Sequence, residues 1–310
     1  MRNERDGVKI RNKILGTFTA NLTNAAMETN FFVKSHGLGN EYIVLDQAAI
    51  DFELTTERIV QLCNIHVGIG SDGILLKVPA GKADFGLRIF NPDGSEAEKS
   101  GNGLRIFAKY LYDFGFTTQL EYTIQTLGGM VTAHVLERIE EKAFMIKVDM
   151  GKANFRASEI PVTFSHEECF DIPVTIDGTE YHFHCVSVGN PHCVILRDQL
   201  DEAEIKRVGT FIENHPMFPN RINVQFVKVA SPDTVDALIW ERGAGFTQAS
   251  GSSSSAIAAV LVKKGLTNRA LTVRMPGGNL KLEVDADWNL FLTGEVREIA
   301  TGVLSRELFR

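Results

Sequence analysis

The stretch Glu98-Lys99-Ser100-Gly101-Asn102-Gly103 (EKSGNG) and a second one, QASGSSSSA from Gln248 to Ala256, decide how this chain is read. Each sets a serine and a glycine turn directly ahead of an apolar run. In the first run Leu104, Phe107, Ala108 and Leu111 fall at i, i+3, i+4 and i+7, one face of a helix. The second is apolar from Ala256 to Val262, which predicts a helix buried inside a sheet and closed by Lys263, Lys264 and Gly265 at its negative end. Serine at a helix start is most often an N-cap. The same turn also presents free backbone N–H groups at the positive end of the helix, an arrangement that receives an anion such as a carboxylate.

Ser250 follows Ser100 by 150 positions (250 − 100), about one domain length. Both halves run from a strand-like segment through a polar turn to Ser-Gly and an apolar helix. This predicts a duplicated α/β unit, two domains facing across a cleft, with helix N-termini from both aimed at one pocket. EYIVLD, ADFGLRIF, EYTIQTLGG, AFMIKVDM, HCVIL, RINVQFVKV, DALIWERG, ALTVRMPGG, LKLEVD and LFLTGEV carry the β-branched and aromatic content of strands. TTERIVQLCN and DEAEIKRVGTFIEN read as two further helices. Polar groups collect at strand ends: NPDGSEAEKSGNG follows one strand, VSVGNPHCVIL sets Asn190 and His192 at a break between two, and IWERGAGFTQASG puts Glu241 and Arg242 upstream of Ser250. Taken singly, His192 is as readily a core histidine, and Glu241 with Arg242 a solvated pair.

The 310 residues are 44% hydrophobic and 23% charged, an ordinary globular balance with room for two domains. A net charge of −7, without a run of lysines and arginines, argues against a nucleic-acid or anionic-membrane partner and for a small molecule. Cys63, Cys169, Cys185 and Cys193 show no CxxC spacing and read as free buried thiols. Charges interrupt the N-terminal segment where a signal peptide needs an apolar core, and no run reaches about 18 apolar residues, so a cytoplasmic location is expected. Residues 1–30 read as an extension ahead of the fold. GIGSDG (Gly68 to Gly73) lacks the phosphate-loop lysine, and Ser35, Ser71 and Ser187 lie in no nucleophile elbow, so these read as structural. Glu96 and Glu98 read as a solvated turn.

FFVKSHGLGNEYIVLD, RIFNPDGSEAEKSGNGLRIFAKYL, GNPHCVI, NRINVQF and WERGAGFTQASG together resemble the signature blocks of the diaminopimelate epimerase family, in order and at similar spacing from about Phe31 to the end. The resemblance implies an α/β (α+β) fold of two similar domains, each a curved, mostly antiparallel sheet or barrel wrapped round a central helix, with the active site in the cleft between them. It implies a first domain over 31–148 completed by 297–310, a second over 149–296, and a possible homodimer. It further implies an isomerase of lysine biosynthesis that uses neither pyridoxal phosphate nor a metal: one base takes the α-proton of an amino acid and an acid on the opposite face returns one. In the family both groups are cysteines, and here they fall at Ser100 and Ser250. His192 and Glu241 match residues that set the protonation of that pair. Asn40, Asn91, Asn190, Asn223 and Arg242 match substrate-binding residues, with the backbone N–H groups of Gly101, Asn102, Gly251 and Ser252 holding the α-carboxylate.

The serines change the energetics. A thiol has a pKa of about 8.5 and a hydroxyl lies nearer water's value of about 15.7, a gap of roughly seven units or ~10 kcal/mol. A helix N-terminus contributes only about 0.3 to 2 kcal/mol, so a neighbouring base must help, and His192 and Glu241 are the bases at hand. Phe246 also stands where the family has a glutamate, and Ser253 where it has a glycine, which reads as natural divergence with an altered pocket. Three functions follow: an amino-acid epimerase using Ser100 and Ser250 with His192 and Glu241; another proton-shift enzyme, an isomerase or dehydratase, on an amino-acid-like substrate; or an amino-acid-binding protein without chemistry.

Overall fold

The computed structural model describes residues 28–309, so the expected N-terminal extension lies outside the described residues up to residue 27. Asn30, at the end of that segment, is buried and exchanges hydrogen bonds with Asp51: its amide donates to Oδ1 at 2.8 Å, and the Asp51 N–H donates back at 3.0 Å.

Eight strands open the chain: β1 (Phe31–Gly37), β2 (Asn40–Asp46), β3 (Ile74–Val78), β4 (Phe85–Phe90), β5 (Glu96–Ala97), β6 (Glu121–Thr126), β7 (Gly129–Ile139) and β8 (Lys142–Lys152). Nine more follow: β9 (Phe170–Ile176), β10 (Thr179–Ser187), β11 (Pro191–Leu196), β12 (Asn223–Ser231), β13 (Thr234–Glu241), β14 (Gly245–Thr247), β15 (Ala270–Met275), β16 (Gly278–Val284) and β17 (Asn289–Glu295). A last strand, β18 (Arg297–Val303), returns to pair with β1. The helices are α1 (Thr56–Cys63), α2 (Gly101–Asp113), α3 (Glu202–Glu213) and α4 (Gly251–Lys263), at the four places where helical spacing predicts them.

Strand pairing displays a duplication. From β1 to β8 the ladder is antiparallel to β2, parallel to β3, antiparallel to β4, parallel to β6, then antiparallel through β7 and β8. From β10 to β17 the same relations recur through β11, β12, β13, β15 and β16. β5 hangs from β4 as β14 hangs from β13, and β18 flanks β1 as β9 flanks β10. The two ladders join where β8 pairs antiparallel with β17, giving one curved, open sheet of a mixed α+β fold in two similar halves. The offset of 150 that separates the serines also relates Asn40 to Asn190, Tyr42 to His192, Gly73 to Asn223 and Asn91 to Glu241.

Each half wraps its sheet round one apolar helix and lays an amphipathic helix outside. Tyr42 and Val44 on β2 turn inward to the core that holds α2, while Ile43 and Leu45 pack with Ile59 and Leu62 of α1. On β11 Val194 faces inward, and Cys193 with Ile195 packs on Ile205, Val208 and Ile212 of α3. Ser253 to Leu261 of α4 is wholly buried, as the apolar run from Ala256 requires, with the Ser254 and Ser255 hydroxyls donating to the carbonyls of Ser250 and Gly251, and Gly265 (φ 70°) closes it in the left-handed conformation that glycine adopts freely. All four cysteines are free and buried.

Candidate active site

The inner helices meet at their N-termini. Ser100 and Ser250 are both N-caps with extended backbones (φ −139° and −146°), Ser100 Oγ accepting from Gly103 N–H at 3.0 Å and Ser250 Oγ from Ser253 N–H at 3.4 Å. Glycine follows each serine because the helix ends touch. A Cβ on Gly101 would sit 3.4 Å from Gly251 Cα, and one on Gly251 would sit 3.2 Å from Gly101 Cα. Two positive helix ends in contact form a concentrated site for an anion.

Around Ser100 the strand residue that reaches the hydroxyl is Tyr42, whose phenol oxygen lies 3.2 Å from Oγ. Burial pushes this phenol up to about 12; the bond to Ser100 opposes that shift, and the charges of Glu241 and Asp72 add to it. Asp72 Oδ2 accepts from Asn40 Nδ2 at 2.9 Å, Asn40 Oδ1 from Asn102 Nδ2 at 3.0 Å, and Asn102 Oδ1 from Arg105 Nη2 at 2.6 Å. That chain runs from a carboxylate at the cleft to a fully buried guanidinium, which burial draws down to about 9. Asn91 is turned into its own tight turn, Nδ2 donating to Ser95 Oγ at 3.0 Å.

Around Ser250 the strand residue is Glu241. Burial raises its pKa above the ordinary carboxylate range, the neighbouring Ser250 hydroxyl opposes this, and the charge of Asp72 adds to it. His192 is fully buried and its ring bonds Asn190 and Gln225. Gln225 Nε2 donates to Nδ1 at 3.0 Å and to Ser253 Oγ at 3.1 Å, which assigns the ring proton to Nε2, donating to Asn190 Oδ1 at 2.9 Å. Burial, helped by the Arg242 charge and opposed by the Gln225 bond, pulls this histidine down to about 3, so it is neutral at physiological pH. Its link to α4 therefore runs through Gln225 and Ser253.

Asn223 ties the adjoining loops together, Nδ2 donating to Pro191 O at 2.8 Å and Oδ1 accepting from Arg242 N–H at 3.0 Å. The Arg242 guanidinium is exposed and donates to Asn220 O at 3.2 Å. Phe246 pairs across from Trp240, on the strand face opposite Glu241, and its ring lies under Lys206 of α3. It packs in the outer layer against α3. Ser253, the other departure in that loop, is the partner of Gln225.

Five residues of this arrangement are not among the candidates read from sequence. Tyr42 sits in an apolar strand and looks like core. Asp72 belongs to GIGSDG, a motif read as structural. Gln225 and Arg105 lie within apolar runs, where a lone polar residue at an inward position is the available signal. Glu213 closes α3 and accepts from Trp240 Nε1 at 2.8 Å and Gly243 N–H at 2.9 Å, fixing the turn that carries Glu241 and Arg242. Ser35 and Ser71 are buried; Ser71 Oγ donates to Gly73 O at 2.7 Å. Glu96 pairs with Arg88 at 2.7 Å. Among the described residues no group of three or more His, Cys, Asp or Glu is placed to hold a metal ion, and no helix is long and apolar enough to cross a membrane.

The diaminopimelate epimerase profile matches residues 32–156 and 184–299. The chain belongs to the diaminopimelate epimerase family. Diaminopimelate epimerase 2 of Nostoc sp. is 45% identical over 279 residues, covering 90% of this chain and 96% of its own. The enzyme of Desulfitobacterium hafniense is 38% identical over 275 residues, 88% of this chain and 97% of its own. Membership makes the chain an isomerase of the racemase and epimerase type. Among solved structures, a hydroxyproline epimerase from Agrobacterium vitis with bound trans-4-hydroxy-L-proline aligns with a TM-score of 0.65 at 14% identity, over 90% of this chain and 92% of its own. A methylitaconate-delta-isomerase aligns with a TM-score of 0.58 at 12% identity, over 88% and 94%. At that identity both show the fold alone.

Proposed function

We propose that the protein is a diaminopimelate epimerase or a close variant, inverting an amino-acid α-carbon by two-sided proton transfer at the junction of α2 and α4. The observation that carries this reading is the contact of the two serine-capped helix ends, with a phenol within hydrogen-bonding distance of one hydroxyl and a buried carboxylate beside the other. The caps use the N–H groups of Gly103 and Ser253, while Leu104 and Ser254 donate back to the serine carbonyls. The N–H groups of Gly101, Asn102, Gly251 and Ser252 are thereby left to converge on a substrate α-carboxylate.

Glu241 supplies the base. A carboxylate held above its ordinary range by burial is better matched to an α-proton than an ordinary one, and the Ser250 hydroxyl beside it can pass the proton on. His192, held neutral, serves this half as a fixed polar support through Gln225, Ser253 and Asn190. Asn223 and Arg242 shape the rim. The test is incubation in heavy water with LL- and meso-diaminopimelate and a panel of other amino acids, followed by proton NMR and chiral chromatography. Deuterium at the α-carbon with inversion is the expected result. Binding with neither exchange nor inversion for any compound overturns the epimerase reading.

A further inference from the structure

Tyr42 stands in the first half where His192 stands in the second: each comes two residues after the asparagine of a Gly-Asn turn and two residues before an inward valine. The second half isolates its residue from the serine. The first half does the reverse, setting the phenol oxygen 3.2 Å from Ser100 Oγ with the side chain almost wholly enclosed. Room for the ring comes from Gly73, where an added Cβ would meet Tyr42 Cε1 at 2.7 Å. The residue 150 positions later is Asn223, so the space is particular to the first half.

Resting on the epimerase reading, we propose that Tyr42 is the positioning residue that makes Ser100 the proton-returning side of the site and replenishes it. Either hydroxyl of the Tyr42–Ser100 pair can donate; with Tyr42 as donor the Ser100 oxygen takes Gly103 N–H on one lone pair and the phenol on the other, which leaves the serine's own proton directed toward the substrate. Glu241, through Ser250, breaks the α-C–H bond on one face. On the opposite face a new C–H bond forms as the Ser100 O–H breaks, and the Ser100 O–H re-forms as the Tyr42 O–H breaks. One negative charge has then moved from Glu241 to the phenol, and a proton passing from Glu241 to Tyr42 through water resets the site.

The charges act in sequence. Burial holds the phenol protonated and the charge of an ionised Glu241 adds to this; once Glu241 holds the α-proton that added opposition is gone, when Tyr42 must yield its own. Asp72 lies near both, its carboxylate accepting from Asn40 Nδ2 and the Glu41 N–H. The Ser100 side is thus a donor, and the Ser250 side an acceptor.

The proposal separates two signals that a purely structural tyrosine would move together. In heavy water Tyr42→Phe is expected to lose inversion by about 10² or more, within the range of general acid–base contributions, while the Ser250 side goes on exchanging the α-proton with retention. Ser100→Ala should behave alike, and the double variant no worse than either single one, because the two hydroxyls act as a unit. Tyr42→Leu, which also lacks the hydroxyl, takes the place of Tyr42→Phe in both comparisons if that variant is unstable. Parallel loss of exchange and inversion, inversion unchanged, or additive losses in the double variant would overturn the role of Tyr42 alone. A native chain that neither exchanges nor inverts any substrate removes the epimerase reading and this proposal with it.

Discussion

Around Ser100 the residue that reaches the hydroxyl comes from β2, Tyr42, whereas around Ser250 it comes from the end of β13, Glu241, although both halves hold a residue at each position. Asn91, the counterpart of Glu241, is spent on its own turn, and His192, the counterpart of Tyr42, is spent on Asn190 and Gln225. The backbone repeats and the chemistry does not. Duplication supplies two equivalent helix ends in contact; divergence at a few strand-end positions then sets a phenol beside one serine and a carboxylate near the other, the asymmetry on which the proposed transfer between opposite faces rests.

The sharpest way to break the comparison is to remove one carboxylate. Glu241→Gln is expected to cut epimerisation by about 10² to 10⁴, the span of general base catalysis, while Asn91→Ala at the matching position stays within about tenfold. Steady-state rates on both variants check this, and equal losses would mean that the halves are not divided in role. Next in size, Ser100→Cys combined with Ser250→Cys should raise turnover by on the order of 10², because thiols near pKa 8.5 exchange protons far more readily than hydroxyls.

A third contrast concerns stability. Asn102→Ala strips Arg105 of its hydrogen bond to Asn102, although its Nε and Nη1 already lack partners, so a loss of about 2–4 kcal/mol is expected in denaturant unfolding. Ser252→Ala, at the matching place on α4, should cost no more than about 0.5 kcal/mol.

The fourth is pH. His192 has a folded pKa depressed to about 3 from 6.5, so the unfolded chain binds a proton that the folded one refuses. Stability should therefore fall as pH drops from 6.5 toward 3, by about 1.4 kcal/mol per unit, or about 2 kcal/mol at pH 5. Tyr42, raised from 10.0 to about 12, gives the opposite limb: the unfolded chain loses its proton first, and stability falls as pH rises from 10 toward 12. Unfolding of His192→Gln and Tyr42→Phe against pH should flatten the acid and the alkaline limb respectively.

Much of the molecule is legible in the chain. The spacing of Leu104, Phe107, Ala108 and Leu111 and the apolar run from Ala256 to Val262 place the inner helices, and the serine spacing announces the duplication. Strand β9 is harder to read because Pro173 interrupts its pattern, which an edge strand tolerates. Likewise β7 carries its inward residues, Val131, Ala133 and Val135, among polar neighbours and ends in charges.

Sequence by itself determined the local events: which segments are helices, that Ser100 and Ser250 begin two of them, and that polar residues gather at the strand ends, since caps and periodicity depend on residues a few positions apart. Tertiary structure alone decided which polar residue meets which serine. That depends on the closing of two ladders through β8 and β17, on the space left at Gly73, and on whether a buried side chain finds its partner in its own half or at the junction. Burial and hydrogen bonding between residues 58 positions apart, as for Tyr42 and Ser100, leave no periodic trace in the chain, so a phenol that reads as core lies in the site.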